Sequence, residues 1–489
     1  MSRETNPKSL LIITAFLLTI LSTAAVGRII YVDDDGPADF NNIQAAIDDS
    51  NDGDVIIIKT GRYTGPGNRD IDFMGKAITV QSSQPSDPNI VSNTVIDCNG
   101  TEADLHRGFY FHNGEGADSI VSGFTITNGY NYNGGAIWCR YSSSPTISKC
   151  IIRSNVAALA PGFPGNIATS GGGIYCSSLS TLGSPSPIIN ECYFMDNIAT
   201  GDGGAICSFL GSALVSNCVI SGNQANSGGA IVVYEDNISI HNCVISNNSA
   251  SNRFYGGGAI YCSRSTATIS NCTIIRNRTV GYGGGIYVTA GNVNTKVNNS
   301  ILWENAASKG TQIALKNGGF GPASLTISYS DAQGGVAAVY LEPGCTLNWQ
   351  EGNIDIDPCF AKPGYWAHKD DPNIVVEPND PNAIWVDGDY HLKSQGGRWD
   401  ANEGRWTKDE VTSPCIDAGA PASPIGLEPF PNGGIINMGA YGGTPEASKS
   451  YFGQPPCETI IAGDINGDCI VNLIDFAIMS LHWLKDETP

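Results

Sequence analysis

The sequence predicts an all-β solenoid, and three recurring features predict it. A Gly-Gly-(Ala/Gly)-Ile turn returns with its Ile at Ile137, Ile174, Ile206, Ile231, Ile260 and Ile286. A second half-repeat is centred on Cys150, Cys192, Cys218, Cys243 and Cys272, with Ser300 in the sixth slot. Five residues after each centre stands Asn155, Asn197, Asn223, Asn248, Asn277 or Asn305. A period of roughly 25 to 40 residues made of short β-type runs and Gly turns marks units that bury their faces only against their neighbours.

Each unit has its own inward stripe. Three residues before the centre comes Ile147, Ile189, Val215, Ile240, Ile269 or Val297, and two after it Ile152, Phe194, Ile220, Ile245, Ile274 or Leu302. A period of two puts the centre and its second neighbour on one face of a strand. The many glycines exclude helices here. Parallel, in-register stacking then lines up Cys over Cys and Asn over Asn, about 4.8 Å per rung. The Asn column is expected to satisfy turn backbone and hand an amide to the next coil. The Gly pairs are expected to supply positive φ at another corner.

The quoted pairs, such as Gly203-Gly204-Ala205-Ile206 with Phe194-Met195-Asp196-Asn197, are similar to polymorphic outer-membrane-protein repeats. Residues 28–345 resemble the right-handed parallel β-helix of the pectin-lyase-like superfamily. That resemblance implies a fold and leaves the chemistry open, because lyases, hydrolases, esterases and adhesins share it.

Ahead of the coils, Arg3 and Lys8 precede the apolar run Leu10–Leu21, and Ala25-Val26-Gly27 offers a cleavage site, so residues 1–27 read as a secretory signal peptide. No later segment has the length to cross a bilayer, and the mature chain is expected outside the cell. Ile43, Ala46 and Ile47 at helical spacing predict a short amphipathic helix within an N-terminal cap, residues 28–60, with Asp39 as its capping residue. The strand Val55–Ile58 follows. Asp33-Asp34-Asp35 reads as a solvated turn.

After Leu347 the repeat dissolves. Residues 346–450, rich in Pro, Asp and Trp, carry Asp357-Pro358-Cys359-Phe360, Ser413-Pro414-Cys415-Ile416-Asp417-Ala418-Gly419 and Asn437-Met438-Gly439-Ala440-Tyr441-Gly442. These resemble the closing segment of secreted bacterial β-helix proteins, which implies a cap on the last coil. Trp366, Trp385, Trp399 and Trp406 read as cap packing or as sugar-stacking faces.

Residues 451–489 hold the one motif with explicit chemistry. Asp464, Asn466, Asp468, Ile470 (through its carbonyl), Asn472 and Asp475 take the ligand positions of an EF-hand-type Ca2+ loop, with Cys469 where Gly is usual. Phe476, Met479, Leu481, Trp483 and Leu484 follow in a helical pattern. The segment looks like a single type I dockerin repeat, which implies Ca2+ and a cohesin-like or cell-surface partner. The fold class is therefore an all-β right-handed parallel β-helix with an N-terminal helical cap and a small C-terminal EF-hand/dockerin-like α module.

The formal net charge of −21 over 489 residues, with no basic stripe, excludes nucleic acid as a partner. Of 15 cysteines, most belong to the coil pattern and are expected as buried free thiols, since stacked rungs hold their Cβ atoms apart. Cys359–Cys415 and Cys457–Cys469 are the two pairings left open. Extracellular polysaccharide is the expected partner. A lyase would draw its groups from Arg140, Lys149, Arg153, Arg253, Arg264, Arg276, Arg278 and His241. A hydrolase would pair two of Glu191, Asp196, Asp202, Glu235 and Asp236. The alternative is a non-catalytic adhesin, and the insertions Ala157–Ser170 and Ser177–Ser186 are the candidate groove edges.

Overall fold

The structure is a computed structural model that describes residues 27–158, 169–178, 183–291, 293–377, 380–453, 463–465 and 470–482. The signal segment through Val26, residues 159–168 and 179–182 of the two insertions, and Cys457, Asn466, Asp468, Cys469, Trp483 and Leu484 lie outside the described residues.

Four parallel sheets of 12, 10, 9 and 6 strands run the length of a β-helix. One coil shows the plan. Ile231–Tyr234 lies in the 9-stranded sheet, Asn237–His241 in the 12-stranded, Val244–Ser246 in the 10-stranded and Ser249–Ala250 in the 6-stranded. Registry follows the repeat: Ile206 pairs with Ile231 and Ile231 with Ile260, while Ile220 pairs with Ile245 and Ile245 with Ile274. The stacked aliphatics and the thiols of Cys150, Cys192, Cys218, Cys243 and Cys272 form one continuous core.

One sequence expectation changes here. The centre Cys lies just outside the strand that holds its second neighbour, as Cys150 does before Ile151–Arg153, because the chain turns a corner immediately before it. Lys149, Glu191, Asn217, Asn242, Asn271 and Asn299, each just before a centre, all have φ between 49° and 53°. Each Cys therefore sits in the corner, and its Sγ donates to the carbonyl two residues back, as in Cys218 to Ser216 at 3.1 Å.

The next corner carries the Asn column, which forms an amide ladder. Nδ2 of Asn155, Asn197, Asn223, Asn248 and Asn277 each donates to Oδ1 of the Asn one coil on, at 2.9–3.0 Å. At the third corner Gly203 has φ +68°, and a Cβ on Gly204 would stand 2.3 Å from the Gly229 carbonyl oxygen. The Gly pair thus both turns the chain and lets successive coils touch.

All 13 described cysteines are free, including Cys359 and Cys415, whose bridge does not form; Cys415 Sγ lies 3.2 Å from Asp331 Oδ2 instead. Only Cys345 and Cys359 among them are partly exposed. Alkylation of the native protein, mapped by peptide mass spectrometry, is expected to label these two and leave the eleven buried thiols unmodified until the chain is unfolded.

At the N-terminal end, helix α1 (Ile43–Asp49) buries Ile43, Ala46 and Ile47. Its cap is Asn42, whose Oδ1 accepts from Ala45 N at 2.9 Å. Asp39 is not the cap; its Oδ2 accepts from Tyr31 N at 2.8 Å. A second helix, α2 (Pro88–Asn93), lies beside the 10-stranded sheet, where Thr125 Oγ1 donates to the Val91 carbonyl at 3.0 Å.

Residues 360–450 run along the flank of the solenoid. Phe360, Tyr390, Leu392, Cys415, Met438 and Ala440 pack on Val244, Ile275 and Ile301 of the 10-stranded sheet. Asn242 Nδ2 donates to the carbonyls of Ala440 and Gly442 at 3.0 and 2.7 Å. Of the expected cap, Thr346–Trp349 adds the terminal strand of the 12-stranded sheet with Leu347 and Trp349 against the core, whereas residues 360–450 form a side wall. The reason is chemical: the outward residues of these coils are apolar and need a cover.

Candidate binding groove

The side wall leaves part of the 10-stranded sheet bare. Helix α2 covers the sheet at Thr125, and the C-terminal region covers it from Val219 onward. Between them Ile151, Arg153, Tyr193 and Met195 face outward, and Tyr193 is 50% exposed. A cavity of about 370 Å3 lies on the α2 side, lined by Pro85, Pro88, Lys149, Glu191, Tyr193 and Met195. Met195 also lines a cavity of about 290 Å3 on the other side, with Asp196, Arg278, Trp366, Trp385 and Asp387. Arg276 and Ala306 extend it in a further lobe of about 290 Å3 that shares Arg278 and both indoles. Together they make one groove.

The repeat positions half of its side chains. Asp196, Gly222, Asn247 and Arg276 each precede a ladder Asn, so one corner column supplies them in turn. Gly222 is the slim member: a Cβ there would lie 2.6 Å from Asp196 Oδ1. The other half comes from the adjacent antiparallel strands Tyr365–His368 and Ala383–Val386 of a three-stranded sheet in the side wall. Trp366 and Trp385 stand 5.3 Å apart at 65°, with the Arg278 and Arg276 guanidinium carbons 5.7 and 5.6 Å from their rings. Arg276 is further tied to Glu304 and to the Gly364 carbonyl.

Asp387 is the residue the repeat could not reveal. Its Oδ1 accepts from Ser221 Oγ at 2.8 Å, Ser246 Oγ at 3.0 Å and Trp385 Nε1 at 2.7 Å. Asp196 Oδ1 faces the Gly222 position and Asp387 bonds Ser221 beside it, so both carboxylates line one cavity. Partial desolvation, and then the charge of Asp387, hold Asp196 above the usual carboxylate range, while Arg153 opposes the rise. Lys149 Nζ bonds Ser86 Oγ at 2.7 Å and stands 3.8 Å from Glu191.

Six of the sequence candidates therefore converge: Lys149, Arg153, Glu191, Asp196, Arg276 and Arg278. The others scatter. Arg140 lies over Trp138 and Tyr141, Arg253 over Phe254, and Arg264 pairs with Glu235. His241 bonds Ser270, Asp202 accepts from Tyr234 at 3.2 Å, and Asp236 bonds Ser208. Trp399 and Trp406 pack on each other at 5.6 Å, away from the groove lining. The oxygens of Asp33, Asp34 and Asp35 lie within 4.8 Å of one another, and Asp33 pairs with Lys59 at 3.0 Å.

In the C-terminal module, Asp464 and Asp475 are buried. Asp475 Oδ1 accepts from Ile465 N and Oδ2 from Asn472 N, both at 2.7 Å, so the twelfth loop position reaches back to the second. Asn472 Oδ1 accepts from Ile474 N at 2.7 Å at the start of α3 (Leu473–His482), and its Nδ2 donates to the Ile470 carbonyl at 3.3 Å. Contrary to a packed helical face, Phe476 and Met479 are exposed.

No described helix is long and apolar enough to cross a membrane. Residues 92–243 and 200–353 match the family described as a right handed beta helix region, and residues 361–419 match a family described as disaggregatase related. A crystal structure of pectate lyase Pel9A is similar at 16% identity, covering 85% of this chain and 96% of that one with a TM-score of 0.42. No curated protein matches. The two overlapping matches span residues 92–353, more than half of the 489, and the chain belongs to the right-handed β-helix family.

Proposed function

We propose that the protein is exported and binds an extracellular polysaccharide chain in this groove. The observation that carries the reading is the pairing of accessible aromatic rings (Tyr193, Trp366, Trp385) with carboxylates and guanidinium groups along one open groove. Rings stack on the apolar faces of sugars while charged groups bond their hydroxyls. Affinity electrophoresis of residues 28–489 in gels carrying neutral or uronate polysaccharides tests it. At least one polymer is expected to retard the wild type, and Trp385→Ala is expected to abolish that retardation. Equal mobility of the two proteins in every gel counts against the groove and favours a structural or adhesive role elsewhere on the solenoid.

A second reading adds cleavage. The placement of Asp196 and Asp387 on one cavity favours hydrolysis over β-elimination, because hydrolysis uses a pair of carboxylates. Helix α1, set against the first strands, serves in this reading as the cover of the first coil's edge.

The C-terminal module is assigned a Ca2+-dependent anchoring role, with Asp464, Asn466, Asp468, the Ile470 carbonyl, Asn472 and Asp475 holding the ion. Exposed Ile470, Val471, Leu473, Ile474, Phe476 and Met479 offer an apolar face to a cohesin-like or cell-surface partner. Asp475→Ala is expected to remove the high-affinity Ca2+ uptake seen by calorimetry of the full chain, and unchanged uptake would reject the loop as the site.

A further inference from the structure

The side wall contains a buried carboxylate with one oxygen that no described group satisfies. Glu428 is 7% exposed. Its Oε1 accepts from Asn437 N at 2.8 Å and Gly443 N at 2.9 Å, whereas Oε2 is buried with no hydrogen-bond partner among the described residues. Beside it, Asp417 accepts from Ser450 Oγ at 2.8 Å, and its carboxylate lies against the Gly433 position. Asn437 links the two, because its N–H goes to Glu428 and its Oδ1 takes the Asp417 N–H at 2.8 Å. No Lys or Arg of the described residues pairs with either acid.

A buried polar atom without a partner is costly and calls for a water, a proton or an ion. Burial lifts Glu428 to about 8 and Asp417 to about 6, each aided or opposed by the groups just named. Protonation turns Oε2 into a hydroxyl donor that then needs an acceptor of its own. A divalent cation satisfies Oε2 directly, since hard oxygen donors in a chain of net charge −21 suit Ca2+.

We propose that Glu428 and Asp417 hold a structural Ca2+ ion inside the side wall, separate from the C-terminal loop, through Glu428 Oε2 and the Asp417 carboxylate. The ion fixes the turn from Ile425 to Gly443 that lays Met438 and Ala440 on the 10-stranded sheet. Its loss loosens the wall that carries the groove's indoles.

The test is thermal melting of the full chain in EDTA and in millimolar Ca2+, in an Asp475→Ala background so that the loop contributes nothing. The parent is expected to gain several degrees with Ca2+. Adding Glu428→Gln keeps the Oε1 acceptor and is expected to erase that gain, while melting in EDTA no lower than the parent. Asp417→Asn is expected to do the same. A gain of equal size in parent and variants, or no gain in the parent, overturns the proposal.

Discussion

Asn223→Ala is expected to lower the denaturant midpoint of the solenoid strongly. Asn223 Nδ2 donates to the carbonyls of Phe194 and Ser221, both at 3.0 Å, and to Asn248 Oδ1 at 2.9 Å. Its Oδ1 accepts from the backbone N and the Nδ2 of Asn197 at 3.0 and 2.9 Å. Truncation removes all five bonds and strands donors and acceptors where no exposure remains. Each orphaned buried group costs about 1–3 kcal/mol, so a loss on the order of 3–5 kcal/mol follows after partial relaxation and water entry. Because each rung touches only its neighbours, the damage is local at first, and unfolding probed by Trp fluorescence should broaden as well as shift. Asn373→Ala, on an exposed hairpin position, is the control and should leave the midpoint within about 0.5 kcal/mol of wild type. Equal midpoints for the two variants would show that the ladder contributes no net stability.

The ladder was readable because every coil repeats it. A residue that must meet its own copy one rung away recurs at a fixed offset, and Asn155 through Asn305 do so without a gap. The corner before each centre was harder to read, although part of its signal stood in the sequence. Asn217, Asn242, Asn271 and Asn299 are the residue type that best tolerates the left-handed region after Gly. Lys149 and Glu191 adopt the same φ with no such preference, held there by the stacked neighbours, and they hid the pattern. The groove was half legible. Lys149, Arg153, Glu191, Asp196, Arg276 and Arg278 were visible as charges on coils. Nothing in a single unit says that bare sheet remains between α2 and a wall contributed by residues 360–450. Asp387 belongs to no repeat, and its three hydrogen bonds are contacts across 141 and 166 residues and to Trp385, 2 residues away.

If the groove cleaves its polysaccharide, Asp196→Asn and Asp387→Asn should each reduce the rate of new reducing ends by about 10²–10⁴-fold, far more than they weaken retardation in affinity gels. Hydrolysis adds water across the glycosidic bond. Asp196, whose proton is retained above the usual range, donates it to the departing oxygen, and Asp387 accepts one from the attacking water. The pH dependence follows with a definite sign. Activity needs Asp196 protonated, so it falls as pH rises through that raised pKa. Arg153 favours the ionised form of Asp196 and therefore lowers the pKa. Removing it by Arg153→Ala must raise that pKa and carry the alkaline limb to higher pH, with the protein still active. A structural role for Asp196 predicts no such movement, since loosening the corner would reduce activity at every pH alike. An Arg153→Ala limb that stays in place, or moves to lower pH, removes Asp196 as the acid. Unsaturated uronate ends in the products would go further and return the chemistry to a lyase, with Arg153 and Arg278 as the groups to substitute next.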